Sequence, residues 1–185
     1  MAETPSTMLP LGTIAPQFEL PDVVSGESYT LDSLRAKQGT VIMFICNHCP
    51  YVKHIQHRVV EVANAYQDKG FRFVAINSND AHAYPADSPD RMKIEASLHQ
   101  YSFPYLYDET QAVAKAYHAA CTPDFYLFNN AGACVYRGRF DAATPGNQKP
   151  VTGEDLIHAM EALLAGNAIS ETQLPSLGCN IKWKK

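Results

Sequence analysis

An uninterrupted apolar run, Val41 to Ile45, passes directly into Cys46-Asn47-His48-Cys49-Pro50 and then into a helical pattern. The run reads as a strand covered on both faces and Pro50 as the opening of a helix. Two thiols separated by two residues therefore stand at the C-terminal end of a buried strand, where α/β chains do their chemistry. A helix N-terminus carries unsatisfied N–H groups and the positive end of the peptide dipoles, which favour a thiolate over a thiol. Cys46 is the expected nucleophile and Cys49 its resolving partner. Cysteines at this spacing close a small disulfide, which suits reversible two-electron exchange.

The rest of the chain builds an α/β fold around this unit. Phe18 and Leu20, then Pro21-Asp22 and Ser25-Gly26, then Tyr29 and Leu31, describe an N-terminal β-hairpin. After Pro50, apolar groups recur at Val52, Ile55, Val59, Val62 and Tyr66, and Gly70 ends the helix. Phe71 to Ile76 form the next strand, and Asn77 to Asp80 should emerge beside the thiols as a second wall. Ser88-Pro89-Asp90 starts a helix whose buried stripe is expected at Ile94, Leu98 and Tyr101. Tyr105 to Tyr107 are extended, and Asp108-Glu109-Thr110-Gln111 resembles a capping box before Val113, Ala116 and Tyr117. Phe125 to Phe128 and Val135 to Phe140 flank an Asn/Gly turn as an antiparallel hairpin. A last helix follows Thr152, with Leu156, Met160 and Leu163 inward and Gly166 as its stop. The result is a mixed central β-sheet flanked by helices, with an N-terminal hairpin and a C-terminal tail.

At 185 residues, one domain over 1–185 is expected, with 1–10 and 170–185 as terminal extensions. A net charge of −4 and no basic block outside Lys182-Trp183-Lys184-Lys185 argue against a nucleic-acid partner. No window approaches membrane-spanning length and no signal peptide is visible, so the expectation is a soluble, cytoplasmic protein without a membrane partner. Five cysteines, an odd number, point to thiols with individual roles rather than a secreted disulfide framework.

The Cys46–Cys49 motif before a long helix, Thr122-Pro123 opening the Phe125 strand, and Gly138-Arg139-Phe140-Asp141 after the hairpin resemble the thioredoxin fold. Leu11-Gly12-Thr13-Ile14-Ala15-Pro16-Gln17-Phe18-Glu19-Leu20 is similar to the opening of its alkyl hydroperoxide reductase/thiol-specific antioxidant (AhpC/TSA) branch. The chain resembles the peroxiredoxin-like, "thiol-disulfide isomerase and thioredoxin" type from Leu11 to the Gly178-Cys179-Asn180-Ile181-Lys182-Trp183 ending. The resemblance implies a cis peptide bond at Pro123 facing the two thiols, with Thr122-Pro123 holding a substrate backbone. It also implies a thiol–disulfide oxidoreductase acting on protein or small-molecule disulfides and drawing on a thiol reductant, with no cofactor.

Departures from the family pattern matter. Matching Cys49-Pro50 to a peroxidatic cysteine puts Cys46 at the activating threonine position and Cys121-Thr122 where a peroxide-polarising arginine would be sought. A developing oxyanion would then lack its stabilising groups. An atypical thiol peroxidase acting on hydroperoxides is therefore the alternative reading. The thioredoxin tryptophan is Ile45 here, and the buried acid six residues before the first cysteine is Thr40. His48, directly before the second cysteine, is placed as in periplasmic thiol oxidases to stabilise the Cys46 thiolate, or it is a solvated helix-start residue. Cys121 is expected as a third active-site thiol, the alternative being a small packing residue; Cys134 is read as core and Cys179 as an exposed tail residue that could fold back. Copper or zinc binding by Cys46, Cys49, His48, His54 and His57 is a further alternative, but only two ligands are positioned by the pattern, and no metal is expected.

Overall fold

The computed structural model describes residues 3–185; the first two residues of the expected N-terminal extension lie outside them. In chain order the strands are β1 (Glu3–Pro5), β2 (Glu19–Pro21), β3 (Ser28–Thr30) and β4 (Gly39–Phe44), followed by helix α1 (Pro50–Gln67). Next come β5 (Phe71–Asn77), α2 (Pro89–Leu98), β6 (Tyr105–Tyr107) and α3 (Ala112–Ala116). The chain closes with β7 (Cys121–Thr122), β8 (Asp124–Asn129), β9 (Cys134–Gly138), α4 (Glu154–Leu164) and β10 (Leu177–Asn180).

The central sheet has the order β6-β5-β4-β8-β9. β4, β5 and β6 run parallel, β8 is antiparallel to β4, and β9, antiparallel to β8, again follows the direction of β4. Because side chains alternate along a strand, β4 sends Val41 and Met43 to one face and Ile42 and Phe44 to the other. The first face is covered by α1 (Val52, Val59, Val62), α2 (Met92, Ala96) and α4 (Leu156, Met160). The second is covered by α3 (Val113, Ala114), Tyr117 and the β2–β3 hairpin side (Leu20, Leu31). Burial of a Val, Leu or Ile side chain stabilises by about 2 kcal/mol, so the two faces fix the helix positions tightly.

The periodicity of α1 is borne out: Val52, Ile55, Val59, Val62 and Tyr66 are all buried. That of α2 is not. Ile94 and Leu98 are 55% and 70% exposed, and the inward pair is Met92 and Ala96. Two apolar pairs at i,i+4 spacing share this short helix on different faces, and the sheet selects the one that meets α1. Ser88 makes no side-chain cap, and Gln111, at φ 63°, uses its amide to reach the Ser78 and Lys182 carbonyls rather than to close a capping box.

The tail is the larger revision. β10 lies between β1 and β7 in a separate antiparallel sheet, with Cys179 opposite both Glu3 and Thr122. Beyond it, Ile181 is buried, and Lys182 exchanges hydrogen bonds with the Asn79–Asp80 loop (Lys182 N–H to Asn79 Oδ1, 2.8 Å; Asp80 N–H to the Lys182 carbonyl, 2.9 Å). Among the described residues, no helix is long and apolar enough to cross a membrane.

Candidate active site

β4 ends at Phe44 and α1 begins at Pro50, so the Cys46–Cys49 segment is a tight loop with Cys49 at the helix N-cap. Asn47 anchors it on all sides. Its N–H donates to Asp87 Oδ1 (2.8 Å), its amide donates to the Ala86 carbonyl (2.8 Å), and its Oδ1 accepts from the Tyr105 hydroxyl (3.0 Å). All five cysteines are free. Cys46 is 2% exposed and Cys49 fully buried, so both sulfurs lie beneath the surface.

Thr122 faces both thiols. Its hydroxyl lies 3.3 Å from Cys46 Sγ, and its carbonyl accepts from the thiol form of Cys49 at 3.1 Å. The Thr122–Pro123 peptide bond is cis, as expected. A place for a substrate backbone was also expected here, but the chain's own β10 is paired along this strand.

The two thiols are hydrogen-bonded to each other, and they divide one charge unequally. Cys49 is pulled down to about 5 by the hydrogen bond from Cys46, then by Cys179 and by the Val52 N–H in the first turn of α1, against the opposing effect of burial. Cys46 is pushed up by the same Cys49 contact, by burial and by the Asp87 carboxylate, with only the Thr122 hydroxyl favouring its anion. This direction is opposite to the expected thiolate at Cys46. The anion is favoured on the N-cap cysteine, chiefly by Cys46, with the Val52 N–H of the helix end a smaller contributor.

His48 does not serve Cys46 in the expected way. Its Nδ1 lies 2.6 Å from Asp87 Oδ2, and its ring stacks on Tyr84 at 5.7 Å. Asp87 is fully buried, which by itself would raise its pKa, but His48, the Asn79 amide (2.8 Å) and the Asn47 N–H together hold it below the usual carboxylate value. Asp87 had no signal in the sequence. The Asn77–Asp80 loop reaches the site as expected, but as support: Asn77, Ser78 and Asn79 are buried and brace Tyr105, Asp108 and Asp87.

A Cys46 sulfur, a His48 ring nitrogen and an Asp87 oxygen lie within 4.8 Å of one another, donors a zinc-type ion could use. These groups already have protein partners: Asp87 accepts from Asn79 and Asn47 and pairs with His48, and Cys46 lies against the Thr122 hydroxyl. His54 and His57 are exposed on α1, and His57 pairs with Glu61, so neither joins the thiols. Cys121 is fully buried with its thiol toward the Pro123 carbonyl (3.7 Å); burial and the Asp124 charge keep it protonated. Cys134 is core. Cys179, read as exposed, is 3% exposed and hydrogen-bonds Cys49.

Two open grooves flank the loop. One, of about 350 Å³, runs past Pro123 between Tyr51, Phe140 and Ser176. The other, of about 450 Å³, lies beside Asn47, His48, Ala86 and Arg91. The arginines of β9 and its end are occupied elsewhere, Arg139 by Asp155 (2.5 Å) and Arg137 by Gln173 (2.7 Å) and the Leu9 carbonyl (2.8 Å).

The AhpC/TSA family profile matches residues 11–137. An uncharacterized conserved protein from Geobacillus kaustophilus is 56% identical, with a TM-score of 0.98 over 100% of this chain and 97% of that one. A hypothetical protein from Sinorhizobium meliloti 1021 is 46% identical, with a TM-score of 0.95 over 98% of each chain. A thiol:disulfide interchange protein from Bacteroides sp. is 19% identical, with a TM-score of 0.66 over 85% of this chain and 92% of that one, a likeness of fold alone. No functionally curated protein matches. The fold is thioredoxin-like.

Proposed function

The chain belongs to the AhpC/TSA family, and on that footing we propose that it is a thiol–disulfide oxidoreductase working through Cys46 and Cys49. The observation that carries the reading is the placement of these two thiols at the N-terminus of α1, both against Thr122, at 3.3 and 3.1 Å. In the reduced site Cys49 holds the charge and accepts the Cys46 proton. Cys46 attacks a substrate disulfide as that proton moves to Cys49, whose S–H then has the Thr122 carbonyl as a ready acceptor. The Cys46–substrate bond forms, the substrate S–S bond breaks, and the first leaving thiolate carries away the electron pair. That thiolate takes the proton from Cys49, which attacks Cys46 and releases the second substrate thiolate, protonated from solvent. One disulfide is reduced and one dithiol oxidised. A thiol reductant of the host reverses the cycle. Five free thiols fit a reducing compartment such as the cytoplasm.

One observation favours a second reading. With Cys46 only 2% exposed, a small oxidant reaches the sulfur more readily than a folded protein does. A hydroperoxide would convert Cys46 to a sulfenic acid and release water or alcohol; Cys49 would then displace water and form the same disulfide. Arg137 and Arg139, the arginines nearest the Thr122–Pro123 side in sequence, are occupied by Gln173 and Asp155, which places this reading second.

A redox titration in glutathione buffers, acid-quenched, alkylated and mapped by peptide mass spectrometry, tests the primary reading. A single two-electron transition into a Cys46–Cys49 disulfide is expected. If those residues never pair with each other, the mechanism fails. Turnover of hydroperoxide far above that of a free thiol would promote the second reading.

A further inference from the structure

Cys179 lies directly opposite Thr122 in the β10–β7 pairing, where an extended partner strand would present its own cysteine to the site. It is 3% exposed and packs in the same apolar cluster as Cys46 and Cys49. Thr122, the residue opposite Cys179, touches both Cys46 and Cys49, and the Cys179 thiol and backbone N–H both favour the Cys49 anion, as Cys46 does, so Cys49 stands electrostatically between the other two sulfurs. The strand is held firmly. Gly178 lies against the Thr122 carbonyl, β1 pairs along the other edge with Glu3 opposite Cys179, and Glu3 accepts the Tyr51 hydroxyl from α1 at 2.5 Å.

We propose that Cys179 is a third exchanging thiol that takes Cys49 over from the Cys46–Cys49 disulfide, making the C-terminal strand the site's internal disulfide partner. The proposal rests on the dithiol reading above. In the step, the Cys179 thiolate attacks Cys49 Sγ; the Cys49–Cys179 bond forms, the Cys46–Cys49 bond breaks, and the electron pair leaves on Cys46. The proton lost by Cys179 ends on Cys46, and nothing is oxidised or reduced overall. The product is an oxidised protein that again carries a free Cys46, able to open a mixed disulfide on a substrate while the oxidising equivalents stay within the chain.

The charges support this order of events. In the reduced site burial and the anionic Cys49 push Cys179 up to about 12, with Lys182 opposing. Once Cys49 is bonded to Cys46 its charge is gone and the opposition from Lys182 remains, so Cys179 ionises more readily when there is a disulfide to attack.

The experiment uses the full chain as wild type and as Cys46→Ser and Cys46→Ala, treated with oxidised glutathione, acid-quenched, alkylated and mapped. Both variants are expected to lose their Cys49 and Cys179 thiols together as one intramolecular disulfide with no glutathione retained, while Cys121 and Cys134 remain alkylatable. The pairing should vanish in denaturant. Glutathione held on Cys49 with Cys179 still free, in variants whose circular dichroism matches the wild type, overturns the proposal and leaves the dithiol reading standing. A wild type that never forms Cys46–Cys49 overturns both.

Discussion

Gly178 and Thr122 touch backbone to backbone: a methyl group added at Gly178 would sit 2.0 Å from the Thr122 carbonyl oxygen, the atom that receives the Cys49 thiol. Only a residue without a side chain lets β10 close on the active-site strand. Gly178→Ala is expected to cost about 2 kcal/mol by overpacking and to lift β10 away from β7. Amide exchange across Leu177–Asn180 should accelerate and Cys179 should become open to alkylation in the native protein. An unchanged exchange pattern would show that the strand tolerates the methyl group.

The shared charge of the thiol pair gives a pH signature. Since Cys49 is held down to about 5, its thiolate is half formed there, nearly complete well above that pH, and lost as pH falls through it. Thiolate ultraviolet absorbance of reduced protein should titrate near pH 5, and the signal should disappear in Cys49→Ser and move upward in Cys46→Ala, which removes the hydrogen bond that contributes most. A wild type titrating only near the ordinary thiol value would contradict the assignment.

Asp87 affects the site in two ways, as the partner of His48 and as a negative charge near Cys46. Asp87→Asn keeps the size and loses the charge, so the Cys46 thiol should ionise at lower pH and the disulfide should become easier to reduce, read as a less negative potential. Asp87→Ala leaves Asn47, Asn79 and His48 without their acceptor, and a loss of about 3 kcal/mol is expected in urea unfolding. An unchanged potential in Asp87→Asn would rule out the carboxylate charge as an influence on Cys46.

Asp124 follows Pro123 and is fully buried, and burial pushes its carboxyl up to about 7 even though the Tyr126 hydroxyl donates to it at 2.8 Å. For an acid whose folded pKa lies above its unfolded one, stability is complete below the unfolded value and is lost as pH rises through the folded value. The protein should lose on the order of 3 kcal/mol between pH 4 and pH 8 from this group. Asp124→Asn should flatten that slope in thermal melts; a variant with the wild-type slope would rule the carboxyl out as its source.

The sequence is most informative where a segment's environment is set by its own pattern. The β4 run and the spacing of Val52, Ile55, Val59, Val62 and Tyr66 describe a strand and a helix whose buried faces are unambiguous, and the thiol loop between them follows. On α2 two equally spaced apolar pairs compete, and only the tertiary neighbour decides between Met92/Ala96 and Ile94/Leu98. Asp87 carries no signal in the sequence because its partners Asn47 and His48 are far away along the chain. β10 lacks strand alternation, and it becomes a strand because Thr122 and Glu3 supply hydrogen-bonding edges on either side.

That three-stranded sheet joins Glu3, Cys179 and Thr122 across adjacent strands, so both ends of the described chain converge on the residue that receives the thiols. For protein engineering, the segments around Glu3 and Cys179 therefore belong with the candidate site. A tag, fusion or truncation at either end acts as a mechanical load on the strand carrying Thr122, and activities measured on such variants report on that load as well as on the chemistry.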